Sequence, residues 1–351
     1  PKRLDRQSAT LLKFGDCSTR SVAPATASHP ALINRELPRH GSSDGTRYLH
    51  LAKPRSYVYP RSGTTRPSLS SASPMMTSRQ FLLTYCLFPF TFITAMLAAY
   101  VLWTYDYSPG FIVMVITGFG IAVVSLGERF HPHRTIWSQS HGDMPTDLVH
   151  NVVSMIGVPQ LMDALLTAGL LTIATYASTA VDGGVWPVTR PLILQLLLAM
   201  IISQFGEYWV HRLLHEIPLL WRFHAIHHSA PRLYWLNAGR FHPVDAAVLY
   251  TVAVGPLIIL GAGEEILLLY TVWAAIHGLF QHGNIDVKLG WLNYVFSMAE
   301  LHRWHHSRTL EEANSNYGNN IIFWDLVFGT FYHPTDRTPD ASVGLADLPN
   351  F

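Results

Sequence analysis

The chain has 351 residues, of which 49% are hydrophobic and 13% charged, whereas an ordinary globular domain carries about 25% charged residues. This balance excludes a disordered chain, which would invert the two fractions, and cysteines at Cys17 and Cys86 alone exclude a disulfide scaffold or a four-cysteine metal site. The net charge of +1 hides an asymmetry: residues 1–74 hold 12 Lys+Arg and 4 Asp+Glu, which leaves 24 − 12 = 12 and 23 − 4 = 19 for residues 75–351.

Residues 1–74 are rich in Ser, Pro and Arg and contain no apolar run able to offset the entropy of ordering a backbone. They read as a disordered basic extension or leader. An Arg- and Ser-rich, acid-poor segment fits an organelle transit peptide; Met75-Met76, just before the first apolar run, equally fits a start near Met75 with an extension upstream. With no aromatic interleaving among its basic residues, it predicts no nucleic-acid partner.

Two charge-free runs follow, Phe81 to Tyr105 and Tyr107 to Gly127, separated by Asp106. Each is long enough to cross a hydrocarbon layer of about 30 Å at about 1.5 Å per residue. Shorter apolar stretches run from Ala164 to Val181, Pro191 to Gly206 and Ala246 to Gln281, the last broken at Gly263-Glu264-Glu265. The expectation is an all-α integral membrane bundle of about four to six spans or hairpin helices. Arg79 precedes the first span, and Arg129 and Arg134 follow the second. The positive-inside rule places these ends in the cytoplasm. The Asp106 turn, residues 181–190 and residues 263–265 then face outward, and every return inward ends at a histidine cluster. The expected location is a multi-pass protein of the bacterial inner membrane or the endoplasmic reticulum.

Eleven of the 19 histidines lie between His211 and His306. His211 and His215 stand at i and i+4, on one face of a helix. His224, His227 and His228 form HxxHH, and His302, His305 and His306 repeat it. From composition, one HxxHH is expected about 0.06 times in such a chain, so two are a strong signal. Neutral imidazole suits zinc, copper, iron and nickel, and eight motif histidines exceed what one tetrahedral ion uses, which points to two ions sharing a site. His282 lies where the last apolar stretch returns inward. His277, five positions earlier, is off the His282 face of a regular helix and requires an irregularity if it ligates. His242, before Pro243, is a ligand, an orienting group or a turn contact. His131, His133, His141, His150 and His333 show no ligand spacing, and His29, His40 and His50 belong to the amino-terminal segment.

At EYWVHRLLH (207–215), WRFHAIHHS (221–229) and LHRWHHS (301–307) the chain resembles the fatty acid hydroxylase and sterol desaturase superfamily of membrane di-iron oxidases. The resemblance runs from about Thr146 to Phe331 and includes Asn316-Tyr-Gly318 and the run from Trp324 to Thr330. It implies a membrane bundle with a cytoplasmic helical cap, and a pair of iron ions that use O₂ to hydroxylate or desaturate an unactivated C–H bond of a lipid. The ligands it implies are His211, His215, His224, His227, His228, His282, His302, His305 and His306. His277 is added because ligands of that region come as a pair, although the family spacing HxxxH would fall on Gly278. The implied organisation is residues 1–74 as the extension, 75–145 as a transmembrane hairpin and linker, 146–335 as the catalytic domain and 336–351 as a tail.

His215-Glu216 is also similar to the HxxxHE run of alkylglycerol monooxygenases, whereas Trp235 to Pro243 is more like bacterial and methyl-sterol versions. Glu216, Asn284 and Asp325 are the candidate catalytic side chains. Asp147, Asn151 and Glu207 join Asn284 and Asp325 as groups placed to orient imidazoles. Trp209, Trp221, Trp235, Trp304 and Trp324 read as interfacial anchors or as a lipid entry. No dinucleotide fingerprint, cysteine cluster or haem motif is present, so the electrons come from a separate haem protein, ferredoxin or reductase. A single ExxH pair is present, Glu128-Arg-Phe-His131, whereas the carboxylate-bridged class draws such a pair from each of two helices, which argues against that class. The reading from another class is a membrane metal transporter, whose sites lie near the bilayer midplane on broken helices.

Overall fold

A computed structural model describes residues 76–166, 169 and 185–345. The expectations for residues 1–74, for most of the Ala164 to Val181 stretch with the start of the turn after it, and for the last residues of the tail lie outside these. Among the described residues there is no strand, only three isolated β-bridges, and five helices are long and apolar enough to cross a membrane. The protein is an all-α integral membrane bundle.

The first two spans are α1 (Ser78–Thr104) and α2 (Pro109–Phe130). Asp106 turns the chain between them with φ 60°, and Ser108 caps α2 ahead of Pro109, whose missing N–H costs nothing in a first turn. The third span differs from expectation. It is α3 (Met144–Leu166), which lies ahead of the Ala164 to Val181 run, itself mostly outside the described residues. A search for charge-free sequence misses it because Asp147 and Asp163 interrupt it: Asp147 is fully buried, while Asp163 and the apolar Leu148, Val149, Val152 and Ile156 are exposed.

The remaining spans are α4 (Leu192–Glu216) and α6 (Pro243–Leu260), with α5 (Pro218–His228) between them. Gly261, at φ 82°, ends α6 in the left-handed conformation that glycine adopts without strain. Helix α7 (Glu264–His282) returns along the centre of the bundle against α1, α2 and α4. It is a regular α-helix without the irregularity that ligation by both His277 and His282 would require.

Helix α4 lies along α6 through small residues. Pro256 removes the donor that would pair with the Val252 carbonyl, and Gly206 packs against that exposed oxygen, where a Cβ would come within 2.8 Å. Ser203 Oγ donates to the Ala253 carbonyl one residue on, at 2.7 Å. Close backbone approach of this kind is how helices associate where lipid is as apolar as leucine. Gly206→Val is therefore expected to destabilise the protein by about 1–3 kcal/mol, seen as a lower unfolding midpoint in detergent; an unchanged midpoint would show that α4 and α6 separate freely.

Beyond the histidine end of the bundle lies a cap. It comprises α5, a tight turn at Trp235–Gly239, and short helices α8 (Ala299–His305), α9 (Leu310–Ala313) and α10 (Phe323–Phe328). Two buried ion pairs fasten it to the third span and the segment before that span: Arg232 to Asp143 at 2.7 Å and Arg240 to Asp147 at 3.0 Å.

Candidate metal centre

The last two turns of α4 carry His211 and His215, α5 carries the first HxxHH, α7 ends on His282, and the second HxxHH covers the end of α8. These four helix ends meet in two groups. His211, His215, His224, His228 and His305 have ring nitrogens all within 4.8 Å of one another, and so do His227, His282, His302 and His306. Each HxxHH is split by helical periodicity. His224 and His228 share a face and serve the first group, while His227, rotated away, serves the second. On α8 the split is reversed, with His302 and His306 in the second group and His305 in the first. The groups adjoin: the His228 and His306 rings stack at 4.3 Å between centroids.

What each imidazole does with its other nitrogen decides the chemistry. His211 Nδ1 donates to the Tyr317 carbonyl at 2.7 Å and His305 Nδ1 to the Ser315 carbonyl at 2.8 Å. His224 Nδ1 donates to the Asp245 carboxylate at 2.8 Å, and His282 Nδ1 to Asn237 Oδ1 at 2.9 Å. These acceptors have no proton to give, so in a neutral ring each fixes a tautomer that leaves Nε2 bare. Yet His211 Nε2 lies 3.0 Å from both His224 Nε2 and His305 Nε2, and His282 Nε2 lies 2.9 Å from His302 Nε2. In the first group three bare lone pairs converge in a buried site and repel unless a cation stands among them; in the second, the bare Nε2 of His282 faces His302, whose Nδ1 has no partner. The donor sets therefore fit metal ions, and the carboxylate–histidine pair at Asp245 is the usual device for orienting such a ligand.

Burial first, then the charge of neighbouring imidazoles, holds His227, His228, His302, His305 and His306 well below the ordinary 6.5. They are neutral near pH 7, as metal ligation requires. In metal-stripped protein the unfolded chain binds protons below 6.5 that the folded one refuses, so stability is lost as pH falls through that value. The unfolding midpoint of chelator-treated protein is expected to drop between about pH 7.5 and about pH 5.5; a flat profile would contradict the buried, neutral assignment.

The Asn316-Tyr-Gly318 turn and Ser315 just before it supply the carbonyl acceptors. Asn316 sits at φ 53° and donates to the Leu301 and Tyr332 carbonyls. Asp325 accepts from Tyr317 N, Gly318 N and Thr330 Oγ1 at 2.7–2.8 Å. A side chain at Gly318 would collide with the Ile321 carbonyl. Asp325 thus acts at a distance, holding the turn whose Tyr317 carbonyl orients His211.

Other expected residues fall elsewhere. His277 joins neither group; it is fully buried between the Phe88 and Phe296 rings, and its two nitrogens have no partner. His242 caps α6 by accepting from Val244 N. Glu216 is half-exposed and paired with Arg212 at 2.7 Å. Asn284 bonds both backbone groups of Arg134 at 2.9 Å, bracing the loop after α2. Asp147 and Asn151 fasten α3 to the Tyr234–Arg240 segment. Glu207 accepts from Tyr270 and Asn319 and contacts Gln204, tying α4 to α7 and the cap. Among the tryptophans, Trp221 lies against the His215 and His228 rings, while Trp304 is buried beneath Arg337 and is no interfacial anchor. Asp245 and Asn237 were missed as orienting groups. The available signal for Asp245 was a lone acid in the first turn of an otherwise uncharged helix.

The fatty acid hydroxylase family matches residues 196–330, which contain all nine clustered histidines. An ornithine lipid hydroxylase of Rhizobium tropici, OlsE, is 39% identical over 229 residues, 64% of this chain and 68% of that protein. The chain belongs to the fatty acid hydroxylase family. An alkylglycerol monooxygenase of Danio rerio is 29% identical over 140 residues, 40% of this chain and 31% of its own length. A methylsterol monooxygenase of Arabidopsis thaliana is 28% identical over 147 residues, covering 41% and 54%. No solved structure matches the chain. As a member of this family, whose relatives named above are hydroxylases and monooxygenases, the protein is an oxidoreductase, which sets aside the metal-transport reading.

Proposed function

We propose that the protein is a di-iron, O₂-dependent lipid hydroxylase whose metal centre lies on the cytoplasmic side of the membrane. The observation that carries the metal assignment is the convergence of the bare Nε2 atoms of His211, His224 and His305, with a second all-histidine group adjoining them. Iron there would be held by His211, His215, His224, His228 and His305 in one group and by His227, His282, His302 and His306 in the other. A redox-active pair supplies the activation of O₂ that an unactivated C–H bond requires and that no side chain can provide.

The protein's own contribution is to orient and to exclude. The Asp245 carboxylate, Asn237 and the Ser315 and Tyr317 carbonyls hold four imidazoles in fixed tautomers. The burial of eight of the nine rings keeps water from competing for the oxidant. Arg79, Arg129 and Arg134 sit at the cap end of α1 and α2, which supports the cytoplasmic orientation.

An ornithine lipid or a related polar lipid is the favoured substrate, because the similarity to the ornithine lipid hydroxylase is longer and stronger than that to the alkylglycerol or sterol enzymes. The named relatives are hydroxylases and monooxygenases, which favours oxygen insertion over desaturation. Electrons are supplied by a separate haem protein, ferredoxin or reductase. The test is lipid mass spectrometry on membranes with and without the protein under isotopically labelled O₂. A lipid gaining one labelled oxygen supports the reading, while a new double bond without label would replace hydroxylation with desaturation.

A further inference from the structure

At the end of the bundle away from the histidines, α1 finishes and α2, α4 and α7 begin around a cavity of about 700 Å³. Nineteen residues of α4 separate Leu192, in its wall, from His211, about 28 Å along the helix axis. The cavity therefore serves neither the metal centre nor the chemistry there. Its volume is in the range of small-molecule sites, about 300–1,000 Å³.

The wall combines opposite charges that do not reach one another. Asp106, Arg190 and Glu265 all line the cavity. Among the described residues none of the three makes an ion pair or a side-chain hydrogen bond. Asp106 and Arg190 are exposed and Glu265 is half-buried, so all three charges are open to a ligand that settles at the rim. Here they are held apart by different elements: Asp106 by the left-handed turn after α1, Glu265 by the first turn of α7, and Arg190 by a loop that Gln195 pins. Gln195, buried, accepts from Trp186 Nε1 at 2.8 Å and donates to the Arg190 carbonyl at 2.8 Å. The gap suits a ligand with both signs of charge.

Depth in the membrane selects the kind of ligand. Tyr100, Trp103 and Tyr107 also line the cavity, and Tyr100 and Tyr107 are about half-exposed where the spans end. Such rings settle at the headgroup level of a bilayer and present a π face to an ammonium. We propose that this cavity binds the zwitterionic headgroup of a membrane lipid in the leaflet opposite the metal centre. Arg190 takes the phosphate or carboxylate, Asp106 and Glu265 take the ammonium, and the acyl chains lie against the aromatic side. With two acids to one arginine, the wall disfavours an anionic headgroup.

Native mass spectrometry of the full chain in detergent tests this, using phosphatidylethanolamine and phosphatidylglycerol of matched chains, with soluble glycerophosphoethanolamine as competitor. Phosphatidylethanolamine should be retained in preference to phosphatidylglycerol. Arg190→Ala should weaken that retention about tenfold, the size of a lost charge-assisted contact, and Glu265→Gln should weaken it too. Neither side chain has a structural partner, so unchanged monodispersity and unfolding midpoint would show both variants folded. Equal retention of the two lipids, or wild-type retention by folded Arg190→Ala, would overturn the proposal. Displacement by the soluble headgroup as readily as by lipid would overturn the lipid assignment in favour of a soluble zwitterion.

Discussion

Replacing His305 and His306 together with alanine is expected to abolish metal binding, because the two residues serve different groups. His305 Nε2 faces His211 Nε2 at 3.0 Å in the first, and His306 Nε2 faces His302 Nε2 at 2.9 Å in the second. Removal of an outer hydrogen-bond partner typically costs about 10–100-fold in metal affinity, so loss of a direct ligand from each group should cost more. Metal per chain, measured by plasma mass spectrometry on detergent-purified protein, should fall from about two irons in the wild type to background in the variant, and O₂ consumption after reduction should disappear with it. The single variants separate the groups: His305→Ala should depopulate the five-histidine group first, and His306→Ala the four-histidine group. A double variant that keeps its metal would mean that the ion binds elsewhere and would remove the di-iron assignment.

The second large effect is expected at Asp245, which the spacing of the histidines gave no reason to single out. Its Oδ2 accepts from His224 Nδ1, both side chains are essentially buried, and its Oδ1 has no partner. Asp245→Ala leaves His224 Nδ1–H without an acceptor and frees the ring to change tautomer, which would turn its Nε2 from lone pair to N–H. The expected result is a 10–100-fold loss of metal affinity, roughly the cost seen when such orienting carboxylates are removed elsewhere. Asp245→Asn should fall between wild type and alanine, because its amide oxygen can still accept. Metal titration monitored by thermal unfolding reads this without recourse to turnover. Equal affinity in all three proteins would show that His224 is positioned by α5 alone.

Local spacing made the candidate ligands legible because a helix converts sequence intervals into faces. His211/His215, His224/His228 and His302/His306 are each four apart, and in the structure the members of each pair serve the same group. The same rule predicted that His277 and His282 could not share a face of a regular helix, and α7 is regular. The family resemblance nevertheless added His277, whose ring lies among phenylalanines. A search for uncharged runs passes over α3 because Asp147 and Asp163 interrupt it, and only the tertiary structure shows that Asp147 faces Tyr234 and Arg240 in the cap and not lipid.

The sequence by itself determined which residues could be ligands and that the chain spans a membrane, since both follow from residue type and short-range spacing. The tertiary structure decided how the clustered histidines divide into five and four, that Asp245, Asn237 and two carbonyls set their tautomers, that Glu216 and Asn284 are occupied elsewhere, and that unpaired charges meet around a cavity at the opposite face. Those outcomes depend on contacts between segments tens of residues apart, such as His211 with Tyr317 and His305, and His282 with Asn237. No local periodicity encodes them, because they arise only when the bundle closes and brings four helix ends together.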